Sequence, residues 1–136
     1  VAKQVLTNVN VTLAGTDISS YVKAITLTTK ADSVETTAFG STGNARTRVS
    51  GLIDNSVKVD LFQDYSAVEG LIYPLVGGTA VTMVVKPNGT GTASTANPQY
   101  SFTPLVTEWN PVAGAVGDVA TVSVTWGVSG AIVKTP

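Results

Sequence analysis

The sequence predicts a mostly β protein: an antiparallel β-sandwich or barrel-like domain with one short flanking helix and a long loop. Three observations carry the β assignment. Val and Thr supply 42 of the 136 residues, and both are β-branched and stiff at χ1. Several segments alternate apolar and polar residues with period two. Only 12% of residues are charged and 43% are hydrophobic, so the chain has the means to bury a core and lacks the polarity of a disordered one. The length suits a single domain spanning residues 1–136.

The elements follow in order. From Gln4 to Ala14, Val9, Val11 and Leu13 share one face against Asn8, Asn10 and Thr12. Gly15-Thr16-Asp17 is a turn, and Tyr21 to Thr29 alternates again around Ile25 and Leu27, so the two strands are expected to form a hairpin. A short run, Val34 to Phe39, ends at Gly40. Residues Gly40 to Gly51 hold three glycines, small polar residues and both arginines of the protein, with no strand period. They read as a loop or arm. Arg46 and Arg48 either keep that loop solvated or reach another subunit, with Gly43 and Asn44 beside them.

Ser56 to Phe62 is a strand with Val57, Val59 and Leu61 on one side and Lys58 and Asp60 on the other. Asp64 reads as a helix N-cap ahead of Ala67, Val68, Leu71, Ile72 and Leu75, a stripe at helical spacing. Pro74 and Gly77-Gly78 are the stop. Ala80 to Lys86 is a strand, and residues 87–98 are a flexible hairpin tip between two prolines. Tyr100 to Trp109 is a strand that Pro104 bulges or places at an edge. Asp118 to Val128 alternates most clearly, with Val122, Val124, Trp126 and Val128 on one face. The tail, residues 129–136, carries Ala131, Ile132 and Val133, an apolar trio that needs cover from its own domain or a partner.

Composition excludes much chemistry. There is no Cys and no His, which removes disulfides, thiol catalysis, imidazole or thiolate metal sites and Ser-His mechanisms. Net charge is −1, so there is no basic footprint for nucleic acid. No apolar run reaches membrane-spanning length, and Val1-Ala2-Lys3-Gln4 does not read as a signal peptide. Nine carboxylates are present, but none falls in a catalytic or metal-binding motif, and Asp17, Asp54, Asp64 and Asp118 are expected at turns or a helix start. No phosphate loop or dinucleotide fingerprint occurs, so neither an enzymatic activity nor a cofactor is expected. Trp109 and Trp126 read as core or interface residues rather than a sugar platform.

Laid in order, these phrases resemble a known family. The strand leading to Gly15-Thr16-Asp17-Ile18-Ser19-Ser20-Tyr21-Val22 is followed by Ser33-Val34-Glu35-Thr36-Thr37-Ala38-Phe39-Gly40 and the Arg-bearing loop. Gly51-Leu52-Ile53-Asp54-Asn55-Ser56-Val57, a helix after Gln63-Asp64 and further strands complete the order. The chain resembles the tail tube, or major tail, proteins of long-tailed bacteriophages over about Val9 to Val128. The resemblance implies two packed sheets, homo-hexameric rings stacked into a tube, and passage of DNA through the lumen without sequence-specific binding. It implies a virion protein made in the host bacterial cytoplasm, with itself and other phage tail or head proteins as partners and no membrane insertion. Gly43, Asn44, Arg46 and Arg48 would lie on the inter-ring loop. Ala131, Ile132 and Val133 would form a C-terminal interface, and Asp60 is the lumen candidate. Two alternatives stand beside this: a capsid decoration or head-tail joining or terminator protein, and a β-sandwich module binding carbohydrate or a host surface, with Trp109, Tyr100 or Trp126 stacking on sugar rings, which requires exposed tryptophans.

Overall fold

The computed structural model describes residues 5–40, 42–78, 81–89 and 92–135. Two antiparallel sheets face each other across one apolar core. The first has five strands: β1 (Asn10–Leu13), β2 (Thr16–Asp17), β5 (Met83–Lys86), β6 (Gln99–Phe102) and β8 (Val133–Thr135), in the order β2-β1-β5-β6-β8. The second has three: β3 (Val22–Glu35), β4 (Arg48–Phe62) and β7 (Thr121–Gly127), in the order β3-β4-β7. The helix α1 (Val68–Ile72) and a 3-10 turn, Tyr73–Leu75, follow β4.

The core is the inward half of each alternating strand. Val11, Leu13, Met83, Val85 and Phe102 enter from the first sheet. Val57, Val59, Leu61, Val122, Val124 and Trp126 enter from the second. Cross-strand pairing places Val57 opposite Trp126, Val59 opposite Val124 and Leu61 opposite Val122, so each inward residue of β4 has an inward partner on β7. Trp126 is fully buried, and its indole N–H donates to the Glu108 carbonyl at 2.9 Å, which satisfies the one polar atom that burial would otherwise orphan.

Helix α1 is shorter than its apolar stripe. Asp64 is its organiser from outside: its carboxylate accepts from the Ser66 and Ala67 N–H groups, both at 3.0 Å, and closes a turn that leads into α1. The Asp64 carbonyl accepts from Val68 and Glu69. These backbone and hydroxyl donors hold the Asp64 carboxyl below its usual range. Val68 and Ile72 are buried in the core, while Leu71 and Leu75 pack at its margin.

Four sequence expectations need correction. The first alternating segment does not form a hairpin with the second. At Ala14-Gly15 both residues take positive φ, the two-residue turn that folds β1 onto β2, and the chain then crosses to the opposite sheet to begin β3. Val34 and Glu35 are the end of β3, not a separate strand, and β3 pairs with β4 along almost its whole length. The strand expected from Tyr100 to Trp109 ends at Phe102. Pro104 lies where the chain leaves the first sheet and bridges to Val128 beside the second. Asp54, expected at a turn, lies within β4 opposite Lys30. Ala80, the start expected for the strand that became β5, lies outside the described residues, as do Val1 to Gln4.

Trp126→Ala removes both the largest core side chain and the indole hydrogen bond. Loss of about 3–5 kcal/mol is expected, read as a fall in the urea midpoint. Asp64 and Asp17, whose carboxyls are both held below their ordinary range by hydrogen bonds, stabilise the fold fully above the ordinary carboxylate pKa. That contribution disappears as pH falls through their depressed folded-state values. Asp64→Asn is therefore expected to flatten the acid limb of a stability-against-pH curve and leave its shape near neutrality unchanged.

Candidate functional site

Among the described residues, the clefts are lined mainly by apolar and small polar side chains, without a cluster of catalytic groups. The features without an internal explanation are surfaces, and three of them lie on the β3–β4 hairpin.

The first is the arm. β3 has 14 residues and β4 has 15, roughly twice the seven of β7, so the hairpin outruns the sandwich. Beyond the core it continues as a two-stranded ribbon from Lys30–Asp54 to Glu35–Arg48. A β-bulge at Asp32 sets Gly51 and Leu52 of β4 opposite one residue of β3. Gly51 is required there: a Cβ would stand 3.1 Å from Val34 Cγ2 and 3.2 Å from Asp32 Cβ. The ribbon and its tip expose Leu52, Ile53, Val34, Val49 and Phe39, and Phe39 touches almost nothing in its own chain. An isolated two-stranded ribbon is marginal in water, and apolar side chains on both faces call for cover from outside.

The connection at the tip is 36–47. It is closed by the Thr36 N–H on the Thr47 carbonyl at 2.8 Å and the Thr47 N–H on Thr37 Oγ1 at 2.9 Å. Gly43 and Asn44 both take positive φ within the short 3-10 turn Thr42–Asn44. The expected loop of residues 40–51 is thus too long at its far end, because Arg48 to Gly51 are strand; Ser41 lies outside the described residues. Arg48 stands opposite Glu35 in the ladder, and Arg46 pairs with the same carboxylate, Nε to Oε1 at 3.5 Å. The two arginines sit around an acid of their own chain.

The second feature is the outward face of the three-stranded sheet. Period two and the observed register place Ala24, Thr26 and Thr28 of β3, Ser56, Lys58 and Asp60 of β4, and Ser123, Thr125 and Gly127 of β7 on this face. The side chains are small, and the face carries no large apolar residue until Phe62 at its end. Asp60, the predicted lumen residue, is half-buried between Ala24 and Ser123, and its Oδ1 is buried without a hydrogen-bond donor.

The third feature is the sheet edge. β3 ends the sheet along its full length, and among the described residues no strand lies beyond it. The β7 edge is partly covered by the chain returning from β6: the Leu105 N–H donates to Gly127 at 2.9 Å, the Ser129 N–H to Thr103 at 2.8 Å, and Asn110 Nδ2 to Ser123 at 3.3 Å. The edges of the other sheet, β2 and β8, are only two and three residues long. Short edges are the usual protection against open-ended pairing. The long β3 edge lacks it.

The C-terminal segment is placed differently from a free interface. Asn55 is buried, and its Nδ2 donates to the Gly130 carbonyl at 3.0 Å, while the Val128 N–H donates to the Asn55 carbonyl. These bonds hold the segment as it crosses to the first sheet, where β8 pairs with β6. Ile132 packs against the core and lines an apolar cleft of about 400 Å³ with Leu6, Val9, Ile25, Leu27 and Tyr100. Ala131 and Val133 are exposed, so of the predicted trio only Ile132 is covered by its own domain. Pro136 lies outside the described residues.

Four of the nine carboxylates serve the fold. Asp17 accepts from Ser19, Asp64 caps the turn before α1, Asp118 accepts from the Ala115 N–H at 3.3 Å, and Glu69 accepts from the Trp109 indole at 2.9 Å and from Gln63 at 3.3 Å. Trp109 and Trp126 are both buried. The carbohydrate alternative required exposed tryptophans, and this burial takes both from it; Tyr100, its other stacking candidate, is half-buried on β6. Sequence reasoning missed the free β3 edge and the polar face. The alternation of Thr26, Thr28, Lys58 and Asp60 was available as a signal, but only the register shows that they share one surface.

No protein-family model matches the sequence, and no curated protein sequence matches it. Solved structures that share the fold include two from gene transfer agent particles. A chain from the virion of a native gene transfer agent particle superposes with a TM-score of 0.80 at 15% identity, over 98% of this chain and 100% of that one. A chain from the tail of an empty gene transfer agent particle, solved with C6 symmetry, gives 0.67 at 17% identity, over 95% of each chain.

The Arg46–Glu35 pair is exposed on both sides, and such pairs contribute little. Arg46→Ala is expected to change unfolding stability by less than about 1 kcal/mol. Truncation after Gly130 removes Ile132 and β8 together; it is expected to lower the urea midpoint of the unassembled subunit, and an unchanged midpoint would show that the tail adds nothing to its own domain.

Proposed function

We propose that this chain is the subunit of stacked homo-hexameric rings that form the tail tube of a phage-like particle, the conduit for DNA delivery to a host. The observation that carries the reading is the β3–β4 arm: an apolar ribbon outside the sandwich that only another protein surface can cover. Its length and its position beyond the body suit contact with the neighbouring ring. The fold shared with a tail of C6 symmetry supports six copies per ring.

The sheet geometry explains how such a ring would close. Joining the free β3 edge of one copy to the β7 side of the next extends the three-stranded sheet around an axis and removes the exposed edge by closure. One face of that sheet already carries the five-stranded sheet and α1. Those layers take up the outside of the ring, so the face of Thr26, Lys58, Asp60 and Thr125 is left to line the lumen. Ring-to-ring contacts through the arm are heterologous, and heterologous contacts repeat along an axis without limit. The function is geometric, without catalysis or cofactor. The subunit would be made in the bacterial cytoplasm and reside in the virion beside other tail proteins.

Electron microscopy of the purified protein over a concentration series is the test, and hollow filaments with a regular axial repeat are the expected result. Replacing residues 38–45 with an Asn-Gly turn is expected to leave the subunit folded, with an unchanged urea midpoint, and to abolish long tubes. Full-length tubes from that variant would return the loop to a plain solvated connection. Single rings from the parent that never stack would move the assignment to a terminator or head-tail joining protein.

A further inference from the structure

The outward face of the three-stranded sheet carries few charges: Lys23, Lys58 and Asp60, with Lys30 and Asp54 where the arm begins. Lys30 stands directly opposite Asp54 in the ladder. Lys23, at the bulge beside Val22, lies over the Phe62 ring at 5.8 Å. Lys58 and Asp60 alternate on one strand, and their cross-strand neighbours are uncharged: Thr26 and Thr125 beside Lys58, Ala24 and Ser123 beside Asp60. Lys58 and Asp60 are therefore same-face neighbours two residues apart on β4, and Lys23 lies at the bulge next to Ala24, the residue opposite Asp60.

Asp60 has no structural duty that explains it. It makes no ion pair within 4 Å among the described residues, and its Oδ1 is buried with no donor, an arrangement that costs stability. A serine or threonine, as at every neighbouring polar position except Lys58, would serve the sheet without that cost. The carboxylate is better explained by something outside the chain that meets this face.

We propose that Asp60 is the residue that keeps this face from holding duplex DNA, by offsetting the ammonium of Lys58 before a phosphate can exploit it. This rests on the tube reading, in which the face lines the lumen. Same-face residues two apart on a strand are separated by roughly 7 Å, less than the screening length of about 8 Å at physiological salt. An approaching phosphate then meets a dipole among hydroxyl groups rather than a positive charge. Without Asp60 the face of each subunit gains one net positive charge, and in a sixfold ring that gain repeats six times around the lumen. Lysines that neutralise phosphates release counterions and bind DNA with steep salt dependence, which would stall a molecule that has to slide.

The test uses assembled tubes of the parent, Asp60→Asn and the double variant Lys58→Gln/Asp60→Asn, each mixed with a labelled linear duplex or with closed circular DNA. The parent is expected to hold neither. Asp60→Asn tubes are expected to hold the linear duplex at least roughly tenfold more tightly than the parent at 50 mM salt and to release it by 200 mM. The double variant is expected to return to the parent's behaviour. Circular DNA, which cannot thread a lumen, should stay unbound throughout. Asp60→Asn tubes that hold no more linear duplex than the parent overturn the proposal while leaving the tube reading intact. Equal capture of circular DNA also overturns it, because the face would then lie outside. A parent that forms no hollow assembly overturns the tube reading and this inference with it. Asp60→Ser, which matches the neighbouring hydroxyl residues, serves as a second variant with the same expected gain in binding if Asn disturbs the strand.

Discussion

The antiparallel pairing of β3 with β4 is the constraint on which the rest depends. The same two strands do opposite things at their two ends. At one end Val57, Val59 and Leu61 are sealed between sheets, and β7 completes the layer. At the other end the ladder continues from Lys30–Asp54 to Glu35–Arg48 with its side chains exposed. A ladder is cooperative along its length, so the buried end holds the exposed end in register. The bulge at Asp32 and the close approach at Gly51 then shape the ribbon without breaking it. The body thus pre-organises an arm that could not order itself, and ordering an arm in advance removes part of the entropy cost of the contact it makes.

The legible part of the fold was whatever depends on local period. Val57, Val59, Leu61, Val122, Val124 and Trp126 alternate in the sequence and are the observed core of the three-stranded sheet. The stripe at Val68 and Ile72 and the role of Asp64 were also readable, since capping and helical spacing are local signals. Pairing was not legible. Period two marks both β1 and β3 as half-buried strands, but it does not say which sheet each joins, and the tight turn at Ala14-Gly15 that sends them apart looks like any hairpin turn. The arm was misjudged for a related reason. Arg48 to Gly51 have no apolar alternation because neither of their faces is buried in this chain, so the usual sign of a strand is missing where the strand has no core to meet.

Asp60 and the C-terminal trio show the same limit from the side of the site. Asp60 lies on a strand face and only Ile132 of the trio is covered by its own domain, and Asn55 was not foreseen as the side chain that ties the crossing segment to β4. A lone Asn in an alternating strand carries no signal of a bond to a residue 75 positions away.

The distribution of apolar residues over the surface separates an assembling subunit from a free one. Single exposed valines are ordinary on any protein. Here Phe39, Leu52 and Ile53 stand together on one ribbon, while Val112, Val116 and Val119 stand on the connection ahead of β7. The central face between β3 and β7, by contrast, is small and hydroxylated. The arm also carries Lys30, Asp32, Glu35, Arg46, Arg48 and Asp54, so its apolar side chains stand among charges. The central face has only Lys23, Lys58 and Asp60, and its other side chains are small. Large exposed apolar side chains are therefore concentrated on the arm and the connection and kept off the sheet face, a division that the proposed stacked ring would use.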